Sequence, residues 1–330
     1  MTDALRDRGE DALLDEIRRL VPPGRGVLVG PGDDTAVLAP ARVPLLLTTD
    51  ALVEGVHFRR GWLTPRALGR RAFAVNASDI AAMGGRPRAA LLAIAAPPAL
   101  PVADLRGMVR GVRAAADAVG AALVGGNLAA ARELSLTVAL LGDAPVPPVG
   151  RGGGRAGDQL FVTGDLGGAA LGLRLLARPR SMRGARGAVR RWQQPTARLC
   201  AGQELARRRI AAAMIDLSDG LLIDASRLCR ASGVGAVLRA DRLPLAPALR
   251  ALAPRAARAL ALAGGEDYEL LFAVRPAHLG ALERARAALG CRITHVGALV
   301  ARRGVRVVDR SGRAVVLPHH LGHQHFAALR

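Results

Sequence analysis

The chain contains no lysine; all 47 of its basic side chains are arginine. That absence excludes the Walker phosphate loop, which ends in Gly-Lys-Ser/Thr, and the strand lysine of protein kinases. A dinucleotide fingerprint is missing too, because neither VGPGDD nor VTGDLGG has GxGxxG spacing. Aromatic residues make up only 2%, so the cores must be built from Ala, Leu and Val, and there is no stacking platform for single-stranded nucleic acid. The three cysteines, Cys200, Cys229 and Cys291, are far apart and in no CxxC spacing. This argues against a disulfide framework and a thiolate metal site. The longest apolar run, AALLAIAAPPALPVA (89–103), is broken by prolines and falls short of a membrane span. The start, MTDALRDRGEDALL, is charged and lacks the apolar core of a signal peptide. The expectation is a cytoplasmic protein of a reducing compartment with no membrane partner.

What is present is ample apolar material: 51% of 330 residues, enough for two packed cores. The formal charge of +20 would ordinarily raise nucleic-acid binding. Here the arginines are spread along the chain, and the densest stretch, RPRSMRGARGAVRRW (178–192), is not interleaved with aromatics. Solvated arginine faces are expected, and no nucleic-acid partner.

Apolar spacing predicts helices over 10–20, 66–83, 103–119, 196–209 and 220–231, and strands over 43–50, 89–96, 121–127 and 134–142. Residues 158–177 read as strand, glycine turn, helix, and 262–274 as a turn into a strand. APVPPVGRGGGRAG (144–157) reads as a linker. Two lobes that mix strands and helices follow, at 1–143 and 158–330.

Acidic residues recur in turns beside these elements: Asp33 and Asp34 in GPGDDTAVL, Asp50 in TTDALVEG, Asp79 in AVNASDIAAMGG, Asp216 and Asp219 in MIDLSDGLLID, and Glu266, Asp267 and Glu269 in GGEDYEL. Singly, each also reads as a helix N-cap or a solvated Asx-turn. As a set they are flanked by apolar residues and glycine, not by arginine. Clustered without a basic partner, they would repel one another, and a divalent cation removes that cost. Oxygen ligands without Cys or clustered His select hard ions, Mg²⁺ above all, which commonly shares its ligands with phosphates. With lysine absent, metal ions are expected to carry the neutralisation of phosphate.

Five ordered motifs, GPGDDTAVL, TTDALVEGVHF, AVNASDIAAMGGRP, MIDLSDGLLID and GGEDYELLF, resemble those of the thiamine-monophosphate kinase family, within the aminoimidazole ribonucleotide synthetase-like superfamily. The resemblance runs from about residue 10 to residue 326, nearly the whole chain. It implies a two-domain fold, an N-terminal α/β domain that dimerises and a C-terminal α+β domain, with the site in the cleft between them. It implies transfer of the ATP γ-phosphoryl group to thiamine monophosphate, assisted by several Mg²⁺ ions. By similarity Asp34, Asp50, Asp79, Asp216 and Asp219 would bind Mg²⁺, with Thr48 and Thr49 adding oxygens; Asp34, Asp79 and Asp219 form its catalytic core. Gly126 and Asn127 would contact ATP and metal, and Arg151 and Ser218 the ATP phosphates. His57, Glu266 and His323 would contact the thiamine substrate. Two departures stand out. Asn127, in VGGNL, replaces a carboxylate, leaving a neutral amide oxygen for a metal. The ending LGHQHF places His323 where the family often has tyrosine.

Overall fold

The computed structural model describes residues 4–7, 10–22, 24, 26–30, 36–144, 147–317 and 322, with the backbone alone at 6, 10 and 11. The chain divides into two compact units, Met1–Ile80 with Arg86–Val146, and Ala81–Gly85 with Pro147–Arg330.

The first unit runs α1 (Glu10–Leu20), β1 (Val27–Val29), β2 (Val37–Leu38), β3 (Leu45–Val53), α2 (Pro65–Ala82), β4 (Arg86–Ala96), α3 (Val102–Asp117), β5 (Ala122–Ala130) and β6 (Ser135–Asp143). Strands β1 and β2 form a small hairpin, and the other four form one sheet in the order β3-β6-β4-β5. Only β4 and β5 are parallel, and α3 is the crossover that a parallel pair needs. Along β6, Leu136, Val138 and Leu140 are wholly buried, whereas Thr137, Ala139 and Leu141 alternate with them as half-buried residues. One face of the sheet is therefore packed and the other open. On the open face Leu47 is 77% exposed, and Leu45 and Leu91 are exposed as well.

Helices α2 and α3 meet through glycine. A Cβ at Gly69 would lie 2.0 Å from the Met108 carbonyl oxygen, and one at Gly111 would lie 2.2 Å from that of Arg66. The helices thus touch backbone to backbone, which fixes the height of α2 over the sheet and with it Asp79.

The second unit continues with β7 (Gln159–Thr163), α4 (Gly168–Ala177), α5 (Ala185–Gln193), α6 (Leu199–Arg207), β8 (Ala211–Asp216), α7 (Leu221–Ser232), β9 (Gly235–Arg239), α8 (Pro254–Ala263), β10 (Leu270–Val274), α9 (Leu279–Ala285), β11 (Ile293–Val300) and β12 (Gly304–Val308). Its sheet has the order β12-β9-β11-β7-β10-β8, antiparallel except for β12 with β9. Both faces are covered. Leu160, Ile215 and Leu271 pack with Leu221 and Leu228 of α7; Phe161, Met214 and Phe272 pack with Leu205 of α6 and Leu282 of α9. Burial on both sides is why LLFAV is apolar at every position instead of alternating.

The stretch expected as a linker belongs in large part to this second unit. The Met214 amide donates to the Gly150 carbonyl at 3.1 Å and the Gly157 amide to that of Leu299 at 2.9 Å. The Gly154 amide donates to the Ser232 hydroxyl at 3.1 Å. A Cβ at Gly153 would lie 1.9 Å from the Ala212 carbonyl oxygen, so glycine here serves close packing.

The helix crossing is testable. Gly69→Ala should destabilise the protein by about 2 kcal/mol or more, because the clashing atom is backbone and cannot swing away. Gly61→Ala, with nothing within 4 Å of the added atom, should stay within about 0.5 kcal/mol. Urea midpoints of the two variants against wild type decide the matter; equal midpoints would refute the tight crossing.

Candidate active site

In the first unit, β3 carries Thr48, Thr49 and Asp50 in succession, and strand alternation separates them. The Thr48 hydroxyl donates to Oδ2 of Asp79, on α2, at 2.6 Å. Asp50, two residues on, shares the Thr48 face of the strand. Thr49 lies on the opposite face, and its hydroxyl donates to the Val138 carbonyl on β6 at 3.1 Å. Of the two threonines expected to add oxygens, Thr48 turns its hydroxyl to an acid and Thr49 turns its own to a backbone carbonyl. His57 follows in a turn, where the Val53 amide donates to its Nδ1 at 3.0 Å. That bond makes Nδ1 the acceptor and leaves Nε2 as the protonated nitrogen. Gly126 lies where β5 presses on β4; a Cβ there would be 1.8 Å from the Leu92 carbonyl oxygen. Asn127 follows it on β5, its side chain exposed.

In the second unit, two sequence motifs converge. Strand β8 ends at the buried Asp216, and the Ser218–Gly220 turn leads into α7. The GGEDYEL loop lies against that turn. The Glu266 amide donates to the Ser218 carbonyl at 2.7 Å and the Tyr268 amide to that of Leu217 at 2.9 Å. A Cβ at Gly265 would lie 2.5 Å from the Ser218 carbonyl oxygen, so the loop approaches as closely as backbones allow. Gly322 reaches the same turn, its absent Cβ 2.7 Å from the Asp219 carbonyl oxygen. Arg151 is exposed, and its carbonyl accepts from the Ser232 hydroxyl at 2.7 Å.

Asp219, Asp224 and Glu269 have basic partners that the sequence did not show. Asp219 Oδ2 accepts from Arg227 Nη1 at 2.6 Å, and the same nitrogen donates to Asp224 Oδ1 at 2.7 Å. Arg227 stands two turns along α7 from Asp219 and neutralises part of the charge that a metal would otherwise meet. Asp224, wholly buried, also accepts the amides of Asp219 and Gly220 at 3.1 Å each. Glu269 is only 1% exposed and is bound through both oxygens by Arg198 at 2.6 Å each. Arg198 thus engages an acid that the sequence grouped with those lacking a basic partner. Asp267 accepts the amide of Gly167 at 2.6 Å and that of Ala169 at 3.3 Å, capping α4.

Asp33, Asp34 and His323 lie outside the described residues. Among the described residues, no three His, Cys, Asp or Glu side chains are gathered as a metal cluster. The donors that are present, the carboxylates of Asp50, Asp79, Asp216 and Asp219 and the Thr48 hydroxyl, are all hard oxygens of the kind Mg²⁺ takes. In that respect they fit the ion.

The family models agree with the two-unit architecture. Residues 32–144 match the N-terminal domain of AIR synthase related proteins, and residues 155–310 match the C-terminal domain. The fold and its paired loops thus define an AIR-synthase-type, two-domain protein. A thiamine-monophosphate kinase from Aquifex aeolicus is 36% identical over 273 residues, covering 81% of this chain and 86% of that one. The crystal structure of a thiamine-monophosphate kinase from Stenotrophomonas maltophilia superposes with a TM-score of 0.82 at 35% identity, covering 92% of this chain and 96% of that chain. The structure of AaThiL complexed with AMPPCP and TMP superposes with a TM-score of 0.75 at 34% identity, over 98% and 100% of the two chains. The chain belongs to the thiamine-monophosphate kinase family.

Burial pushes the Asp267 carboxyl up to about 7, although two backbone amides favour its charged form. The folded chain thus holds this proton over a range in which the unfolded chain has lost it, so stability falls as pH rises from about 4 towards 7. Asp267→Asn keeps an oxygen for the α4 amides and removes the titration. The stability difference between wild type and variant should therefore shift in favour of the variant between pH 5 and pH 8, by up to about 3 kcal/mol. Thermal melts of both proteins across that range test this, and parallel curves would refute it.

Proposed function

We propose that this protein transfers the γ-phosphoryl group of ATP to thiamine monophosphate, giving thiamine diphosphate and ADP. The observation that carries the reading is the seating of the GGEDYEL loop on the Ser218–Gly220 turn, which brings a residue assigned to the thiamine substrate beside one assigned to ATP phosphate. The relatives named for this reaction, and the AaThiL complex with AMPPCP and TMP, support it.

The chemistry asks little of a general base. The attacking oxygen belongs to a phosphate monoester whose second pKa is about 6, so it is already anionic near neutrality. What is needed is alignment of two polyanions and screening of their repulsion. Mg²⁺ supplies the screening when bound. Asp34, Asp50, Asp79 and Asp216 would hold it, with Asp219 sharing its charge with Arg227. Thr48, donating to Asp79, would fix the rotamer of that carboxylate. Asn127 would offer a neutral oxygen. Ser218 and Arg151 would bind ATP phosphates, and Gly126 would let the nucleotide approach the β5 backbone. The Nε2–H of His57 would donate to the acceptor phosphate. Glu266 would face the cationic thiazolium or the aminopyrimidine.

The open face of the first sheet supports a homodimer. It includes the exposed Leu47 and Leu91 and borders a hollow of about 830 Å³, also lined by Ala93, Ala139 and Leu141. Patches of this kind mark association surfaces. A cytoplasmic site is proposed as well; no helix of the described residues is long and apolar enough to cross a membrane.

Incubation with ATP, Mg²⁺ and thiamine monophosphate, followed by chromatography, should yield thiamine diphosphate; its absence would sink the proposal. Asp79→Asn should lower turnover by about 100-fold or more with an unchanged melting temperature. Full turnover in that variant, or undiminished activity in chelator, would remove the metal role.

A further inference from the structure

The GGEDYEL loop is held in a conformation that its own residues disfavour. Glu266 has φ of +73° and Tyr268 of +50°, the left-handed region, which is sterically unfavourable for a residue with a Cβ. Such residues persist only where the surroundings over-determine them, and they collect at functional sites. Here the surroundings are identifiable, because the two strained residues alternate with two buried carboxylates. Asp267 is tied to the start of α4, and Glu269 is tied to a constellation that the reaction itself does not require.

Glu269 receives Nε and Nη2 of Arg198 at 2.6 Å each, Nη2 of Arg191 at 3.2 Å, and the Thr163 hydroxyl at 2.7 Å. Thr163 accepts in turn from the Leu270 amide at 2.8 Å. Room for the carboxylate is made by Gly164, where a Cβ would lie 2.0 Å from Glu269 Oε1. Arg191 also donates to the Asp165 carbonyl at 2.9 Å. The loop is thereby fastened to β7, to the end of α5 and to the residue before α6. A bidentate guanidinium fixes direction as well as charge, and one and three residues before Glu269 lie the bonds from Tyr268 to Leu217 and from Glu266 to Ser218.

We propose that Glu269, gripped by Arg198, Arg191 and Thr163, is a positioning residue that holds Glu266 in its left-handed conformation for recognition of the thiamine-phosphate substrate. The proposal rests on the assignment of Glu266 to that substrate. Glu269 touches no reacting atom; it acts through the backbone between it and Glu266.

The test uses the full chain and four variants. Glu269→Gln keeps the shape and an acceptor oxygen and removes the charge. Thr163→Val removes one donor to Glu269, together with the acceptor of the Leu270 amide, without orphaning an ion, and serves if Glu269→Gln does not fold. Glu266→Ala and the Glu266→Ala/Glu269→Gln pair complete the set. Hydrogen exchange of the ligand-free protein reads the conformation directly. The amides of Glu266 and Tyr268 should exchange at least about 10-fold faster in Glu269→Gln, and faster to a lesser degree in Thr163→Val. In steady-state assays Glu269→Gln should raise KM for thiamine monophosphate several-fold and leave KM for ATP within about twofold. In the Glu266→Ala background the same change should add less than about twofold.

Unchanged exchange at Glu266 and Tyr268 would overturn the positioning role whatever the kinetics. A lowered melting temperature with an unaltered KM would reduce Glu269 to a structural residue and overturn it too. Full additivity in the double variant would show that Glu269 does not act through Glu266. If exchange quickens but Glu266→Ala leaves KM for thiamine monophosphate unchanged, the loop mechanics stand and the substrate assignment of Glu266 falls.

Discussion

A full negative charge sits almost out of reach of water at Glu269, and the local structure around it follows from that constraint. Withdrawing a carboxylate from solvent costs several kcal/mol unless every lone pair is answered. The answer is two guanidinium groups and a hydroxyl, drawn from α5, the residue before α6, and β7. Because the donors come from separate elements, the ion pair works as a junction. It fixes where the helices stand relative to the sheet, and it fixes the loop that leads into β10. The neighbouring Asp267 does the same for α4, through backbone amides instead of cations. Glu266 and Tyr268 adopt unfavourable backbone angles between and beside these two anchors.

The first unit solves a different problem. Its sheet has one packed face and one open face; Thr48 and Asp79 meet on the packed side, whereas Asn127 shares the open face with Ala93 and Thr137. Thr48 meets Asp79 because β3 turns every second residue towards α2, and α2 is seated at that height by its glycine contact with α3. Two small features, a two-residue period and a missing methyl group, bring a hydroxyl and a carboxylate within hydrogen-bond distance across 31 residues of sequence.

Much of this was legible beforehand. The motif order pointed to the family, and the helical periods placed α1, α2, α3, α6 and α7 within about three residues of their observed bounds. What stayed hidden was non-local. Arg198 and Arg191 lie 71 and 78 positions from Glu269, and in a chain where every cation is arginine nothing marks the ones that matter. Arg227 is nearer, two helical turns from Asp219, and a helical reading of α7 could have found it. The opposite facing of Thr49 was also available from strand alternation. Helix α5 was masked by its charge within 178–192, although Ala188 and Trp192, four apart and both buried, carry its apolar side. Strands β9, β11 and β12 escaped because short Val, Ala and Gly runs resemble the alanine-rich background. The glycines of 150–157 suggested freedom where they provide close contact, a distinction that only the neighbouring backbone reveals.

The exposed leucines of the first sheet bear on how the protein behaves in dilute solution. If a second copy covers Leu45, Leu47 and Leu91, the folding equilibrium acquires a mass-action contribution that weakens with the logarithm of protein concentration. The second unit, whose sheet is covered on both sides by its own helices, carries no such dependence. On dilution, one half of the molecule would then lose support while the other kept all of its own.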